Sequence, residues 1–340
     1  MRPITVPSLL CVCFVACSPQ TETDEITPTL THSFEPLAAD VGEEVSGVCQ
    51  SWTLNNDEPL YVSKIRQRNE GAWHHSNWFF VHESKYSGPD GTWDCDERGF
   101  HEVDAGLAGG AFFAQSTQAS VEIQAFPEGA VLEIPPNHKI VGGVHLVNVS
   151  ASAIDTALTF DIETVPKENV QVRLRPIAFT NTALDIEPAA ESRFGMTCDL
   201  GKEFEDKLGV SPDYNIYYVL AHYHEWGNYF RLSFVDEDGG DRTIFELRNS
   251  IGEPLGMTLD PPINSQNAPK LRVECGYLND TDRRLEYGLA GKEMCVFLAY
   301  SDAGLTIGAE SGTNTALGRN EDGVYMNETA CGRVLAVPAR

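Results

Sequence analysis

The stretch "NVQVRLRPI", residues 169–177, alternates apolar and polar side chains in the manner of a half-buried β-strand. Val170, Val172 and Leu174 fall on one face, and the polar and charged residues between them fall on the other. Short runs of similar character recur along the chain between Gly, Pro and Asn, whereas helical periodicity is almost absent. These patterns predict an all-β protein composed of β-sandwiches.

A polar break directly before this strand divides the chain into two halves of similar length. The break is "ETVPKEN", residues 163–169, and the 340 residues of the chain have room for about two domains. We therefore predict one β-sandwich over residues 37–165 and a second over residues 166–340. The exception to the strand pattern is "GKEFEDKLG", residues 201–209, which predicts one or two helical turns.

The first 36 residues predict export. Residues 1–17 contain one Arg, a short apolar stretch and small residues ending at Cys17, the pattern of a signal peptide rather than of a membrane span. The ending "FVAC" resembles a bacterial lipobox, in which the cysteine is lipidated; ordinary signal cleavage nearby is the alternative. Residues 18–36 are polar and rich in Thr and Pro, as in a tether. We expect an outer-membrane lipoprotein facing the periplasm or the cell surface, touching the membrane only through Cys17, or else a secreted protein.

Charge and cysteine content restrict the class of protein further. The formal net charge is −26 at pH 7, which argues against nucleic acid as a partner because phosphate binding needs clustered Lys and Arg. Beyond Cys17 the chain has an even set of cysteines, which suggests three disulfides in an oxidising compartment, with the pairing left open by the spacing. These cysteines are Cys49, Cys95, Cys198, Cys275, Cys295 and Cys331. The lack of a C-x-x-C pair argues against a thiolate zinc site.

The segment "VLAHYHEWGNYFRL", residues 219–232, carries two histidines in a context that otherwise predicts a strand. Side chains alternate between the faces of a strand, so His222 and His224 point the same way and Tyr223 points away from them. Two imidazoles side by side are poor core material and good metal ligands. This segment is therefore a candidate metal site.

The first half has two adjacent histidines, His74 and His75, in "GAWHHSNWFFV", and a third, His145, in "GGVHLVNVS". On a flat strand adjacent side chains face opposite ways, so joint ligation by the pair needs a strand end, a bulge or strong twist. The alternative is that one imidazole lies in the core and the other in solvent. The remaining four histidines lie among polar or turn residues and are predicted at the surface: His32, His82, His101 and His138.

A methionine supplies a different candidate ligand in the second half. Met294 is followed by Cys295 in "YGLAGKEMCVFLAY", and Cys275 lies twenty residues upstream of that cysteine. Methionine is usually a core residue, but beside a two-histidine strand its thioether completes a soft nitrogen–sulfur ligand set. Such a set suits copper, and Cu(I) in particular.

Taken in order, these motifs resemble the copper type II, ascorbate-dependent monooxygenases, the family of peptidylglycine α-hydroxylating monooxygenase and dopamine β-monooxygenase. The matching features are the adjacent histidines, the H-x-H strand and "KEMC" before an apolar strand, within a region from Cys49 to Cys331. The resemblance implies two tandem jelly-roll-like β-sandwiches that each hold one copper and face each other across a solvent-filled cleft.

The resemblance also implies the ligands and the chemistry. The electron-transfer copper is expected on His74, His75 and His145. The catalytic copper, where dioxygen binds and the substrate is hydroxylated, is expected on His222, His224 and Met294. Two copper ions per chain would then hydroxylate an activated C–H bond of a small organic or peptide-like substrate, with ascorbate or another one-electron donor as reductant. The disulfides implied are Cys49–Cys95, Cys198–Cys331 and Cys275–Cys295.

Four positions depart from the family. Peptide-amidating members bind peptide through an arginine two positions before H-x-H and a tyrosine four after the Met, positions that are Leu220 and Leu298 here. The asparagine two after the Met is Val296, and the residue after the paired histidines is Ser76 where the family usually has Met. Recognition of a peptide carboxylate is therefore not expected.

Three other functions fit parts of this sequence. The H-x-H and a distant histidine suit a zinc enzyme with water as the fourth ligand, although Met294 and the two separate histidine groups argue against it. A copper-storing or copper-buffering envelope lipoprotein would use the same ligands without catalysis. A β-sandwich adhesion or carbohydrate-binding module would carry the histidines incidentally.

Overall fold

A computed structural model describes residues 26–116, 118–248, 255–288 and 291–338. The predicted signal peptide, residues 1–17, and its lipidated Cys17 lie outside these residues. The strands of the first half are β1 (Leu30–Ser33), β2 (Leu37–Ala39), β3 (Glu44–Thr53), β4 (Leu60–Asn69), β5 (Trp73–His82), β6 (Gly91–Asp94), β7 (Gly110–Ala114), β8 (Val121–Ala125), β9 (Ala130–Ile134), β10 (His138–Val147), β11 (Ile154–Thr156), β12 (Leu158–Thr164) and β13 (Val172–Arg173). Those of the second half are β14 (Arg175–Thr180), β15 (Asp185–Ile186), β16 (Ala190–Asp199), β17 (Asn215–His222), β18 (Gly227–Val235), β19 (Asp241–Leu247), β20 (Gly256–Asn264), β21 (Lys270–Asn279), β22 (Leu285–Glu286), β23 (Val296–Ser301), β24 (Leu305–Arg319) and β25 (Tyr325–Pro338).

The predicted all-β class is confirmed. Within the described ranges the α-helices are α1 (Glu102–Ala108) and α2 (Gly201–Leu208), with 3-10 turns at Asp96–Arg98 and Lys167–Asn169. The predicted helical turns near residue 205 are α2, whereas α1 was not predicted. None of the helices described here has the length and apolar character needed to cross a bilayer.

The first half is a sandwich of two sheets. One has the strand order β1-β12-β4-β9-β13, with β8 also paired to β4, and the other has the order β6-β3-β10-β5-β7. Aromatic residues fill the space between them, and the rings of Trp78 and Phe112 both meet Phe160 edge-on, with centroids 5.2 and 5.3 Å away.

Two boundaries of this half differ from the prediction. Residues 30–33 of the predicted tether form β1, which pairs with β12 from Leu30 opposite Ile162 onward. The partly buried Leu30 packs against the first core. The prediction missed this strand because it rested on the polar composition of residues 18–36 as a whole. At the other end, β13 runs parallel to β9 and Leu174 is buried in the first core. The first sheet therefore extends past residue 165.

The second half is built on one ten-stranded sheet that folds over its own core. Its order is β19-β18-β21-β16-β25-β24-β14-β23-β17-β20, and a single core joins residues from both ends of that order. The long strands β24 and β25 cross between the layers and shift register at three places. At this crossing a Cβ on Gly332 would lie 2.8 Å from the backbone nitrogen of Gly312, so the close approach requires glycine.

The two sandwiches pack directly on each other. Leu220 of β17 and both Leu298 and Tyr300 of β23 belong to the same core cluster as the aromatic residues of the first half. The Tyr300 hydroxyl donates a hydrogen bond to the carbonyl of Ala111 at 3.2 Å. Beside this packed region the halves enclose a cavity of about 490 Å³, which is lined by residues from both.

All three disulfides implied by the resemblance are present: Cys49–Cys95, Cys198–Cys331 and Cys275–Cys295. Disulfides of this number form and persist in oxidising compartments outside the cytoplasm, and the protein is exported. The last pair closes a short loop whose second cysteine follows Met294 directly.

Candidate metal centre

The adjacent histidines of the first half lie at a bulge. On β10, His145 pairs with His75 and the next residue, Leu146, pairs with Trp73, so His74 is one extra residue on β5. A bulge re-aims the side chains around it and removes the strict alternation of faces. This is one of the backbone irregularities that joint ligation by the pair requires, and it turns both rings toward His145, with centroids 4.9 and 4.8 Å away.

The histidines of the second half lie where β17 ends. His222 is the last residue of the strand, and His224 follows in the turn toward β18, with ring centroids 5.1 Å apart. Tyr223 between them is fully buried in the core of the second sandwich, as predicted for a side chain on the opposite face. Its ring lies against Gly227, where a Cβ would approach to 2.0 Å.

The five histidines form one cluster, which differs from the two separated sites implied by the resemblance. The centroids of His74 and His224 are 4.8 Å apart, and those of His75 and His222 are 5.0 Å apart. The five expected histidine ligands are therefore brought together, and the histidines of the two sets are in contact instead of facing each other across solvent. The physical reason is the packing of β17 and β23 against the first sandwich, which carries His222 to β5.

Four imidazole nitrogens in the cluster are buried and have no hydrogen-bond partner among the described residues. They are His75 Nε2, His145 Nδ1, His222 Nε2 and His224 Nε2. Leaving such an atom unpaired costs about 1–3 kcal/mol each. The ligand atoms of His75, His222 and His224 lie within 4.8 Å of one another, a spacing that a shared metal ion could bridge.

Oxygen atoms hold the opposite edges of three of these rings. His222 Nδ1 lies 2.6 Å from the carbonyl of Ser116, and His224 Nδ1 lies 2.8 Å from the carbonyl of Lys292. His145 Nε2 lies 2.7 Å from a carboxylate oxygen of Glu44. Metal-binding histidines almost always donate their second nitrogen in this way, which fixes the ring and leaves the other nitrogen free for the ion.

The electrostatic environment keeps four of the five imidazoles neutral, those of His74, His75, His222 and His224. Burial lowers the pKa of His222 to about 3, and burial with His224 and His145 nearby lowers the pKa of His74 to about 3. Burial also lowers the pKa of His224, and it lowers that of His75 well below the usual value. Neutral imidazole is the form that binds a metal ion.

The loop between β7 and β8 contacts ligands from both halves. Ser116 accepts from His222 as described above, and the amide of Gln118 lies 2.7 Å from His74 Nδ1. The buried carboxylate of Glu122 accepts from both the backbone nitrogen and the hydroxyl of Ser116, and burial raises the pKa of this carboxyl to about 7. Ser76 also contacts the loop, through a hydrogen bond from its hydroxyl to Gln115. Ser76 is therefore a buried polar packing residue and not a ligand.

A second buried carboxylate holds the H-x-H turn to the methionine segment. Glu293 accepts from the backbone nitrogens of His224 at 2.8 Å, Trp226 at 2.7 Å and Met294 at 3.3 Å. Burial raises the pKa of this carboxyl to about 7. Met294 itself lies in the wall of the 490 Å³ cavity together with His75 and His222. The cavity therefore opens on the expected ligands of both sets.

Sequence reasoning missed the residues that support the cluster. Glu293 lies inside "KEMC", where an acid in an otherwise buried segment was the available signal. Glu44, Ser116 and Gln118 follow no spacing rule, because they reach the histidines only through tertiary packing. Of the four histidines predicted at the surface, His82 and His101 are exposed. His32 is partly buried and stacks on Trp52 with ring centroids 4.4 Å apart. His138 is buried and donates from Nδ1 toward the carbonyl of Pro136 at 2.7 Å.

Comparison with known proteins does not assign a function. No family model and no curated protein matches the chain. Solved structures with some likeness include the PBSX exported protein XepA, at 8% identity over 82% of this chain and 88% of that one, with a TM-score of 0.21. PNGase F, a glycosylasparaginase from Flavobacterium meningosepticum, has 9% identity over 91% and 99% of the chains, with a TM-score of 0.33. The VP2 subviral particle of infectious bursal disease virus has 10% identity over 84% and 74%, with a TM-score of 0.20.

Proposed function

We propose that this protein is a copper-dependent monooxygenase that hydroxylates an activated C–H bond with dioxygen and a one-electron donor such as ascorbate. The observation that carries the proposal is the cluster of buried imidazole nitrogens that have no hydrogen-bond partner in the described part of the chain and lie beside a substrate-sized cavity. His74, His75 and His145 would hold one copper, and His222, His224 and Met294 would hold the other. When bound, copper supplies the oxygen chemistry, while the protein holds substrate and metal in fixed positions.

Copper fits the donor set better than other metals do. Imidazole suits several first-row metals, but a thioether selects Cu(I), and Met294 shares the cavity wall with His75 and His222. A zinc hydrolase remains the second candidate, because His75, His222 and His224 alone form a compact three-histidine group.

The cavity favours an enzyme over a copper-storing protein. Copper storage requires metal ligands but does not require space for an organic molecule. The cavity volume of about 490 Å³ is within the range of small-molecule sites. A substrate bound in the cavity would lie beside His222 and Met294. The packed interface between the two halves would exclude water from the side of the cavity that it borders.

Metal content provides the direct test. The chain from residue 18 onward should retain two coppers after reconstitution and removal of loose metal, and the His222→Ala variant should retain one. His101→Ala, at an exposed histidine outside the cluster, is the matched control and should retain two. One zinc without copper would contradict the copper proposal and favour the zinc hydrolase. Retained copper without oxygen consumption in the presence of ascorbate, across a substrate screen, would leave a copper-binding protein.

The proposed location is the outer membrane, through a lipid on Cys17. The sequence "FVAC" and the polar segment after it support this placement. Mass spectrometry of the mature N-terminus should find a diacylglyceryl group on Cys17. A Cys17→Ala variant should lose that group and its membrane association, and an unmodified wild-type N-terminus would contradict the proposal.

A further inference from the structure

One face of the ten-stranded sheet forms the floor of the cavity. The register of its strands arranges the residues of the floor in rows that run across neighbouring strands. The row nearest the cluster runs His222, Val296, Thr180, Glu310 and Arg333 across five neighbouring strands. All five line the cavity. Neighbouring strands are about 4.8 Å apart, so the charged pair at the far end lies roughly 14–19 Å from the His222 strand.

The next row of the floor is apolar along its whole length. It runs Leu220, Leu298, Ala178, Gly308 and Leu335 on the same five strands, and all of these residues line the cavity. A Cβ added to Gly308 would meet no atom within 4 Å, so the space above this position is open. The floor therefore has an apolar row that starts beside His222 and is open above Gly308.

The opposite wall belongs to the first sandwich and is mostly apolar, with Asn77, Glu102 and Gln115 as its polar residues besides His75. Helix α1 contributes Val103 and Leu107, whose side chains are exposed, and β7 contributes Phe113. Single exposed apolar residues are common, but here two on one short helix line the same cavity. The carboxylate of Glu102, at the start of this helix, accepts a hydrogen bond from the amide of Asn77 at 2.9 Å.

From this arrangement we infer that the substrate is an elongated, uncharged and predominantly apolar molecule, such as an alkyl or acyl chain. This inference rests on the proposed function and names the substrate class of the same site. The substrate chain lies along the apolar row with one end beside His222 and Met294, and its polar end lies near Glu310 and Arg333 at the far end of the neighbouring row. Leu220, Val296 and Leu298 determine this specificity, because they provide no group that could pair with a substrate carboxylate near the metal.

Binding of straight-chain alcohols to the metal-free protein tests the inference without relying on turnover. The probe 1-N-phenylnaphthylamine should bind the cavity with increased fluorescence, and hexan-1-ol, octan-1-ol and decan-1-ol should displace it. A buried methylene is worth ~0.8 kcal/mol, so affinity should rise about fourfold per added CH₂ until the chain outgrows the floor. A hydrophilic glycine-extended tripeptide should not displace the probe.

The variant Gly308→Phe fills the open space on the floor and contacts no proposed ligand. It should lose most probe and alcohol binding and keep the copper content of the wild type. Thr315→Phe, at an exposed position of the same strand, is the matched control and should bind the probe normally. Unchanged probe binding in Gly308→Phe, or affinity that does not depend on chain length, would overturn the inference.

Copper retention and alcohol binding are measured independently, so failure of the proposed function can be distinguished from failure of the inferred substrate class. If the alcohols bind with the expected dependence and the protein retains no copper, the apolar ligand class stands and the monooxygenase chemistry does not. If copper is retained and the alcohols fail to bind, the substrate class is wrong and the metal assignment stands.

Discussion

Met294 is the residue on which the choice of metal depends most. Replacement by Leu conserves volume and should cost less than about 1.5 kcal/mol of stability. It removes the thioether, so we expect Met294→Leu to retain the first copper, to bind the second more weakly and to lose turnover. The loss of affinity should exceed the about 10–100-fold typical of residues that only support a ligand.

Copper titration of the folded variant, with oxygen consumption in parallel, measures both effects. Met257→Leu is a suitable control because Met257 is largely exposed on β20. Copper loading and activity equal to the wild type in Met294→Leu would remove Met294 from the ligand set.

At the scale of single elements, the bulge in β5 decides whether adjacent histidines can act together. A regular strand would send His74 and His75 to opposite faces, and substitution of only one of them would then affect the metal. With the extra residue at His74, we expect His74→Ala and His75→Ala each to release one copper.

The same strand provides the control for this prediction. His82 is at its far end and is exposed, so His82→Ala should retain both coppers. If only one of the two cluster variants loses copper, the second ring does not bind metal and the bulge has another role.

The elements were predictable from sequence to different degrees. The alternation of residues 170–175 and the helical turns of α2 are local patterns that match the structure, although the predicted strand is divided between β13 and β14, which belong to different sheets. In the H-x-H segment His222 lies in a strand, β17, as predicted, whereas His224 lies in the turn after the strand. The sequence allowed a strand end, a bulge or strong twist at His74 and His75. It could not distinguish among them, because a bulge does not alter the amino-acid composition of a strand. Helix α1 was missed because seven residues with three glycine or alanine positions carry little amphipathic signal.

At the scale of the whole molecule, the sequence predicted two halves but not how they dock. Leu220 and Leu298 lie in apolar strands that have the same pattern whether they face their own core or a neighbouring sandwich. The structure uses them for the second purpose, and this docking merges the two expected sites into one cluster. The contacts of Ser116 with His222 and of Gln118 with His74 depend on the same docking, so no local motif could indicate them.

Concentrating neutral imidazoles in one interface also makes the stability of the metal-free protein sensitive to acid. The folded-state pKa of His74 and of His222 is about 3, below the value of about 6.5 for an unfolded chain. Between about pH 6.5 and pH 3 these histidines bind protons in the unfolded state but not in the folded state, so the free energy of unfolding falls as the pH falls. Glu122 and Glu293 act in the opposite direction from about pH 7 down to pH 4.5, because their folded-state pKa is raised to about 7.

Between pH 4.5 and pH 6.5 the two carboxyls offset the effect of His74 and His222, and the net loss of stability there comes from His75 and His224, whose pKa is also lowered. Below pH 4.5 the histidine effect is no longer opposed. We therefore expect a gradual loss of stability from pH 6.5 to pH 4.5 and a steeper loss from there toward pH 3, measured by denaturant unfolding of the metal-free protein. In His222→Ala the slope below pH 4.5 should be smaller by about 1.4 kcal/mol per pH unit. Carboxylates outside the cluster contribute equally to both proteins and cancel in this comparison. Equal slopes would mean that the fold does not hold His222 neutral. The buried Nε2 of His222, which has no hydrogen-bond partner among the described residues, would then no longer support a metal ion at this position.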